Sequence, residues 1–180
     1  MIRFARLARF AIVSAATLSA ACGQMDPMQS MGPKAQAAMA PTLGNTTAGS
    51  VVFHQHGDQV MVMVRLSGLK PNAEHGFHIH EKGDCSSGDG MATGGHFNPT
   101  GKPHGPPTGD HLAGDMPALK ADANGKVDTR FQVAGIGLGA GAGADVLGRG
   151  LIVHAGPDDY TTQPTGNSGA RIACGVIKLQ

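Results

Sequence analysis

Alternating apolar and polar residues dominate the chain from about residue 46 onward. Residues 59–66, QVMVMVRL, alternate over the full length of a strand, and a β-prone run precedes them at 50–56. Gly57-Asp58 separates the two runs and has the composition of a tight turn. The pattern therefore predicts a β-hairpin at the start of the domain.

Further segments have the length and composition of strands. They lie at 76–80, 118–122, 126–133, 151–154 and 171–179. Asn124-Gly125 falls between the second and third of them and predicts another hairpin. Two polar segments, 81–116 and 158–167, interrupt the strands, and a loop as long as the first is uncommon unless it carries function. The predicted fold class is all-β, an antiparallel sandwich or barrel with two long functional loops.

The first 21 residues have the composition of an export signal and not of the fold. Three arginines precede an uncharged apolar run at 10–21, which is too short to cross a bilayer as a helix of the mature protein. The segment also resembles a bacterial lipoprotein signal, in which cleavage before Cys22 frees that residue for lipidation. Ordinary cleavage nearby would instead leave Cys22 as a spare thiol. Residues 1–21 are thus predicted to be a signal peptide that directs the protein to the periplasm.

Residues 22–45, between the signal and the domain, show no sustained strand or helix period. They are rich in Met, Ala, Gln and Pro, so we predict a flexible tether followed by the domain at 46–180. An alternative for this segment is a copper(I) site, because thioethers are soft ligands. Its candidate ligands are Met25, Met28, Met31 and Met39.

The charge and aromatic content of the chain argue against nucleic acid as a partner and against membrane binding by charge. The chain carries 14 Lys+Arg against 13 Asp+Glu and only 4% aromatic residues, so it offers neither a basic stripe nor a stacking surface for nucleic acid. Removing the signal removes three arginines and no acid, which leaves the mature chain slightly acidic. Membrane attachment would therefore depend on the lipid and not on charge.

Histidine is the unusual component of this chain, because imidazole is the commonest metal ligand in proteins. His78 and His80 are two residues apart on a predicted strand, so both rings project from one face and can bind one metal. His154 ends a later strand and could join them. The long loop and the residues around its end add three imidazoles and a carboxylate, a donor set that suits tetrahedral zinc. These residues are His96, His104, His111 and Asp115.

The remaining histidines are His54, His56 and His75. A single histidine is more often a surface or hydrogen-bonded residue than a ligand, and we interpret these three in that way. His54 and His56 share a strand face, so a weak metal site is a further option there.

The ligand candidates lie in segments that resemble the copper/zinc superoxide dismutase family. The segments occur in the family's order from about residue 48 to the C-terminus, and as a set they are highly specific. They are GFHIH at 76–80, GHFNP at 95–99, KPHGP at 102–106, Gly114-Asp115, Val153-His154 and GARIACGVI at 169–177. The stretch between Cys85 and His96 resembles the bacterial periplasmic branch of the family.

The resemblance implies a Greek-key β-sandwich or flattened barrel that binds copper and zinc. It implies copper ligands at His78, His80, His96 and His154. It implies zinc ligands at His96, His104, His111 and Asp115, so that His96 bridges the two metals.

Three further expectations follow from the same resemblance. Cys85 and Cys174 match the family's disulfide. Arg171 matches the arginine beside copper. Asp158 matches a carboxylate that links His78 to His104, which would orient both rings.

The activity implied by the resemblance is dismutation of superoxide to oxygen and hydrogen peroxide. In this scheme a redox-cycling copper exchanges electrons with superoxide, Arg171 holds the anion and His96 carries a proton to the product. The alternative is a noncatalytic periplasmic module that buffers or delivers copper or zinc. His111 lies four residues before Asp115 where the family usually has three, so a zinc-only or zinc-free dismutase is a third option. No motif marks an interface, which leaves a homodimer open.

Overall fold

The structure, a computed structural model, describes residues 32–139 and 144–180. Its regular elements are ten strands and one short 3₁₀ turn at Met91–Thr93. The strands are β1 Lys34–Pro41, β2 Ala48–His56, β3 Gln59–Ser67, β4 Glu74–His75, β5 Phe77–His80, β6 Leu119–Lys120, β7 Val127–Ala134, β8 Gly150–His154, β9 Arg171–Val176 and β10 Lys178–Leu179. No helix among these residues is long and apolar enough to cross a bilayer. The predicted signal peptide 1–21, the lipidation site Cys22 and the first part of the tether lie outside the described residues.

Eight of these strands form one antiparallel sheet that is curled into a half-barrel. Its order is β5-β8-β9-β1-β2-β3-β7, and β10 pairs with β1 beside this path. β4 and β6 form a separate antiparallel pair. The chain passes from β3 to β5, from β5 to β7 and from β7 to β8, so it crosses three times between the two ends of the sheet. The all-β class is therefore confirmed.

Strand β1 lies inside the segment predicted to be a flexible tether, so that prediction is wrong for residues 34–41. β1 pairs with β2 on one edge and with β9 and β10 on the other, which makes it a central strand. Ala35, Ala37 and Met39 are buried and alternate with more exposed positions. Alanine gives the buried face only a weak hydrophobic signal, and pairing on both edges defines the strand instead. Met39 is thus a core residue and no candidate for the proposed tether copper site.

The hairpin predicted across Asn124-Gly125 has the wrong partner strands. Of the strand predicted at 118–122, only Leu119–Lys120 forms, and it pairs with β4. The strand after the turn, β7, pairs with β3 over eight residue pairs. The turn itself is present, because Asp122 accepts backbone hydrogen bonds from Asn124 and Lys126. Pairing along the whole of β3 buries more backbone than the local hairpin could, so the long-range partner prevails.

The predicted strand at 171–179 is also interrupted, at Ile177. The Ile177 N–H donates to the carbonyl oxygen of Arg149, and its own carbonyl accepts from Gly148. The break lets β9 and β10 pair with different parts of β1.

The hydrophobic core lies along one face of β1, β2 and β3. In β3, Val60, Val62, Val64 and Leu66 are buried, and the residues between them are more exposed. β5 and β8 differ, because every residue of both strands is buried. The connections at 81–118 and 155–170 cover the second face of these two strands. Polar side chains on that face are therefore removed from water.

Candidate metal centre

Strands β5 and β8 supply three of the predicted ligands. His78 and His80 lie on β5 with one residue between them, so both project from the same face. His154 ends β8, where the pairing register with β9 shifts between Val153 and His154. Such an irregularity re-aims a side chain relative to the rest of the strand.

The loop after β5 folds back along this strand and adds His96. The Phe97 N–H donates to the carbonyl oxygen of Ile79, and the Ile79 N–H donates to the carbonyl oxygen of Gly114. A Cβ at Gly114 would overlap backbone atoms of Ile79 and Phe97, so only glycine permits this close approach. His96 consequently lies opposite His80 in an isolated bridge.

Four buried imidazoles meet at this point. One ring nitrogen of each lies within 4.8 Å of a ring nitrogen of every other member, and the His78 and His96 ring centroids are 4.0 Å apart. The members of this copper group, as we call it, are His78, His80, His96 and His154. Each has one buried nitrogen with no hydrogen-bond partner among the described residues. These atoms are His78 Nδ1, His80 Nε2, His96 Nε2 and His154 Nε2.

The second nitrogen of three of these rings donates a hydrogen bond. His78 Nε2 donates to Asp158 Oδ2 at 2.6 Å, His80 Nδ1 to the Gly94 carbonyl at 2.9 Å, and His154 Nδ1 to the Gly169 carbonyl at 3.0 Å. An oxygen acceptor requires the proton to be on that nitrogen, so the other nitrogen of the neutral ring presents its lone pair. Each tautomer is thus fixed with a free lone pair in the group.

Burial keeps these three rings neutral. It lowers the pKa of His78 to about 4 against the opposing hydrogen bond from Asp158, and it lowers the pKa of His80 to about 2 and of His154 to about 3. At neutral pH the nitrogen lone pairs are therefore available without loss of a proton. Buried, neutral, unpartnered imidazole nitrogens fit a bound transition metal, and imidazole suits copper.

A second set of donors adjoins the first through His96. Asp115 Oδ1 lies 3.0 Å from His96 Nδ1 and 2.9 Å from His104 Nδ1, and all three residues are buried. The other carboxylate oxygen of Asp115 accepts from the Gly105 N–H at 3.1 Å. We call His96, His104 and Asp115 the zinc group, because nitrogen and carboxylate donors of this kind suit zinc. His96 belongs to both groups, with Nδ1 in this one and Nε2 in the copper group.

Asp158 joins the two groups by its two carboxylate oxygens. Oδ2 accepts from His78, and Oδ1 accepts from His104 Nε2 at 2.9 Å and from the Tyr160 N–H at 2.8 Å. Burial raises the pKa of Asp158, but the hydrogen bonds from His78, Tyr160 and His104 outweigh it and lower the pKa to about 2. A side chain at Gly166 would overlap both Asp158 and His104. The geometry expected for Asp158 is present.

His111 is not brought together with the zinc group in this structure. It is partly exposed, and its Nδ1 donates to the Leu112 carbonyl at 2.8 Å. His111 is also the predicted ligand whose spacing from Asp115 differs from the family pattern, and it lies outside both ligand groups.

Arg171 borders the copper group. It lies opposite His154 in the pairing of β8 with β9. Its guanidinium donates to the carbonyl oxygens of Gly90 and Gly94, both at 2.7 Å, and to the Thr93 hydroxyl at 2.9 Å. Thr93 Oγ1 in turn lies 3.2 Å from His80 Nδ1. The positive charge is therefore held in place beside His80 and His154.

The loop that carries these contacts is tied to the sheet by the expected disulfide. Cys85 is bonded to Cys174 of β9, with their Cα atoms 5.8 Å apart. Arg149 adds a second attachment, because it donates to the Glu81 carbonyl at 2.7 Å and lies over the Phe97 ring.

Sequence reasoning missed one residue that positions a ligand. The Gln163 side chain accepts from the His104 N–H at 2.9 Å and donates to the His104 carbonyl at 2.8 Å, so it holds the backbone of this residue on both sides. Glutamine in a polar loop carries no signal for such a role. His75, interpreted as a surface or hydrogen-bonded residue, is buried and donates from Nδ1 to the His154 carbonyl at 2.8 Å.

Comparison with known proteins gives consistent results. Residues 47–177 match the family described as copper/zinc superoxide dismutase. The chain is 41% identical over 150 residues to superoxide dismutase [Cu-Zn] 2 of Aquifex aeolicus, covering 81% of this chain and 86% of the relative. It is 44% identical over 121 residues to the superoxide dismutase-like protein YojM of Bacillus subtilis, covering 64% and 61%. The crystal structure of clock protein EA4 superposes with a TM-score of 0.74 at 34% identity, covering 87% of this chain and 100% of that one.

Proposed function

The chain belongs to the copper/zinc superoxide dismutase family, and from that premise we propose that it is an enzyme that dismutates superoxide. Two superoxide ions and two protons yield one molecule of oxygen and one of hydrogen peroxide. The observation that carries the proposal is the convergence of four imidazole nitrogens, which have no hydrogen-bond partner in the described part of the chain, beside the fixed charge of Arg171.

The two donor groups fit copper and zinc. Copper supplies the one-electron redox chemistry when bound by the copper group, and zinc, which has no redox chemistry, supplies charge and geometry when bound by the zinc group. Binding of the anion and delivery of one proton depend on side chains of this chain.

Arg171 serves to bind the substrate. Superoxide is a small anion, and the Arg171 guanidinium stays charged at neutral pH although burial lowers its pKa. Because two backbone carbonyls and the Thr93 hydroxyl hold this group, it does not have to be ordered when the anion arrives. These neutral partners leave the guanidinium with its positive charge, which attracts superoxide toward the copper group.

His96 serves to carry a proton. Its Nδ1 is held at Asp115, whereas its Nε2 faces His78, His80 and His154 and has no hydrogen-bond partner among the described residues. Nε2 has a single lone pair, so it could take up a proton only while it is not bound to copper. A proton held there would lie where the product forms and could be delivered to peroxide. The second proton comes from water.

The test of the proposed activity is superoxide decay measured by stopped flow on the chain loaded with both metals. We expect rapid decay, loss of activity when copper is removed, and a decrease in kcat/KM of about tenfold or more in Arg171→Ala. Arg65→Ala is the matched control, because it removes an exposed arginine that pairs with Asp128 on the outer sheet face. Copper bound at about one per chain without superoxide decay would contradict the proposal and favour the noncatalytic metal-binding module.

His111 lies outside the zinc group in this structure, and we propose that it joins the group as the fourth ligand when zinc binds, because structural zinc is almost always four-coordinate. His111→Ala should lower the zinc content while copper-dependent activity is partly kept. Metal analysis of the purified variant measures both ions per chain. An unchanged zinc content would remove His111 from the site.

We also propose that the chain is exported to the periplasm and anchored through a lipid on Cys22. Cell fractionation tests this, with Cys22→Ser as the variant. The parent chain should be in the membrane fraction and the variant in the periplasmic extract or unprocessed.

Whether the chain forms a homodimer is a separate question. Light scattering on the purified protein gives its mass in solution and tests this.

A further inference from the structure

Two histidines lie outside the metal centre on the outer face of β2. His54 and His56 are separated by one residue, and their ring centroids are 4.3 Å apart. On the opposite face of β2, Val51 and Phe53 are buried in the core. Met61 of β3 lies directly opposite His54 in the sheet register. Directly opposed residues have Cβ atoms about 4.5–5.5 Å apart, which brings the thioether close to the His54 ring. His56 lies opposite Gln59 and is therefore diagonal to Met61, at about 7–8 Å, a distance that long side chains still span.

His54 has the feature that marks the copper group. Only 9% of the residue is exposed, and its Nε2 is buried without a hydrogen-bond partner among the described residues. Buried polar atoms are nearly always hydrogen-bonded, so an unpartnered one calls for an explanation. His56, next to it on the same face, is exposed and gives access from solvent.

The charges around His54 favour a neutral ring and a monovalent ion. Burial, His56 and Lys34 all lower the pKa of His54, which leaves its lone pair free. Lys34 lies opposite His54 on the β1 side, away from Met61. Its repulsion of a bound cation is twice as large for a divalent as for a monovalent ion.

We propose that His54, His56 and Met61 bind one copper(I) ion, separate from the two metals of the family. Two imidazoles and a thioether form a soft donor set that suits copper(I) and has little affinity for hard cations. None of the three belongs to the copper or zinc group. Because these residues lie on β2 and β3, three or more strands from β5 and β8 in the sheet order, the site does not depend on the proposed catalysis.

The test is an anaerobic competition for copper(I) against the chromophoric chelator bicinchoninate. It uses the full mature chain already loaded with copper and zinc, so that only additional copper(I) is counted. We expect one additional copper(I) per chain and a copper–sulfur scattering path in X-ray absorption at the added copper. His56→Asn and Met61→Leu should each weaken this binding by about tenfold or more, since removing a ligand costs at least as much as removing a supporting residue.

Met63→Leu is the matched control. Met63 is the next outward methionine of the same strand, 38% exposed, and it lies opposite Val52 and Arg130. Its replacement should leave the additional copper(I) unchanged. Both test variants keep the fold, because His56 is exposed and leucine has nearly the volume of methionine.

Two results would overturn the proposal. One is retention of the additional copper(I) at full affinity in both His56→Asn and Met61→Leu. The other is its loss when Met25, Met28 and Met31 are replaced by leucine, which would assign the ion to those methionines. Superoxide decay is not used as a readout, so failure of the proposed activity would leave this result interpretable.

Discussion

The two halves of the main sheet differ in how many of their side chains are buried. In the alternating half, formed by β1, β2, β3 and β7, residues on one face are mostly buried and those on the other are mostly exposed. In the covered half, formed by β5, β8 and β9, nearly every residue is buried or half-buried. Both halves share the same antiparallel pairing, so the strands alone do not distinguish them.

The difference comes from the connections. The turn between β2 and β3 is two residues long, whereas 81–118 follows β5 and 155–170 follows β8. These long connections cover the covered half and contribute His96, His104, Asp115 and Asp158. A second buried face removes water from polar groups, which must then find partners within the protein or in a bound ion. The alternating half contributes hydrophobic burial to stability, and the covered half contributes buried imidazole and carboxylate groups that can bind metal.

Acid should affect the metal-free protein through the covered half, and this is the largest effect that we expect. The folded-state pKa values of His78, His80 and His154 are about 4, 2 and 3, below the unfolded value of about 6.5. The unfolded chain therefore binds more protons once the pH falls below about 6.5. The free energy of unfolding should be constant above that pH and fall below it, by at most about 1.4 kcal/mol per pH unit for each histidine.

Denaturant titrations of the metal-free protein between pH 7.5 and pH 4.5 measure this slope. His80→Leu removes one buried imidazole and should make the slope shallower. Val62→Ala, in the core of the alternating half, should lower stability by about 2 kcal/mol at every pH and leave the slope unchanged. Equal slopes in all three proteins would mean that the histidines do not cause the acid sensitivity.

Replacing the carboxylate that links the two metal groups should have the next largest effect. In Asp158→Asn the amide can accept at only one atom, and its NH₂ group faces a donor from His78 or His104. Affinity for copper or zinc should fall by about 10–100-fold. Competition with chelators of known affinity measures each metal, and Val62→Ala should retain the parent affinities. An unaltered affinity for both metals in Asp158→Asn would show that the carboxylate does not orient the ligands.

The smallest effect should follow from loss of the Gln163 side chain. Gln163→Leu removes two hydrogen bonds to the backbone of His104, each worth about 0.5–1.5 kcal/mol. Zinc affinity should fall by up to about tenfold while copper affinity changes little, because His104 is not in the copper group. Gln132→Leu, on the outer face of β7, is the control. A larger loss of copper than of zinc would contradict this assignment.

The candidate metal ligands were the most predictable part of the molecule. His78 and His80 have ligand spacing on a strand, and His96, His104 and Asp115 lie in motifs whose residue types have few other uses together. The structure brings these five residues into two adjoining groups. The hydrogen bonds that orient these ligands could not be predicted from the sequence as well. Gly94 acts through a backbone carbonyl, which every residue possesses, and so no residue type marks its role.

Strand partners were predicted less well than strand positions. β2, β3, β5 and β8 lie where alternation or apolar runs predicted them, because those patterns report local burial. β1 was missed because alanine on its buried face contributes little hydrophobicity. The partner of β7 was missed because pairing with β3 is a long-range contact that a local turn motif does not encode.

Asp158 should also make the occupancy of the two metal groups interdependent when copper and zinc bind there. The carboxylate accepts from His78 and from His104, so fixing either ring also restricts the oxygen that meets the other. Thermodynamic linkage requires that a coupling of this kind be reciprocal: the factor by which zinc raises the affinity for copper equals the factor by which copper raises the affinity for zinc. The order in which the ions arrive then changes the route to the loaded protein but not its final stability.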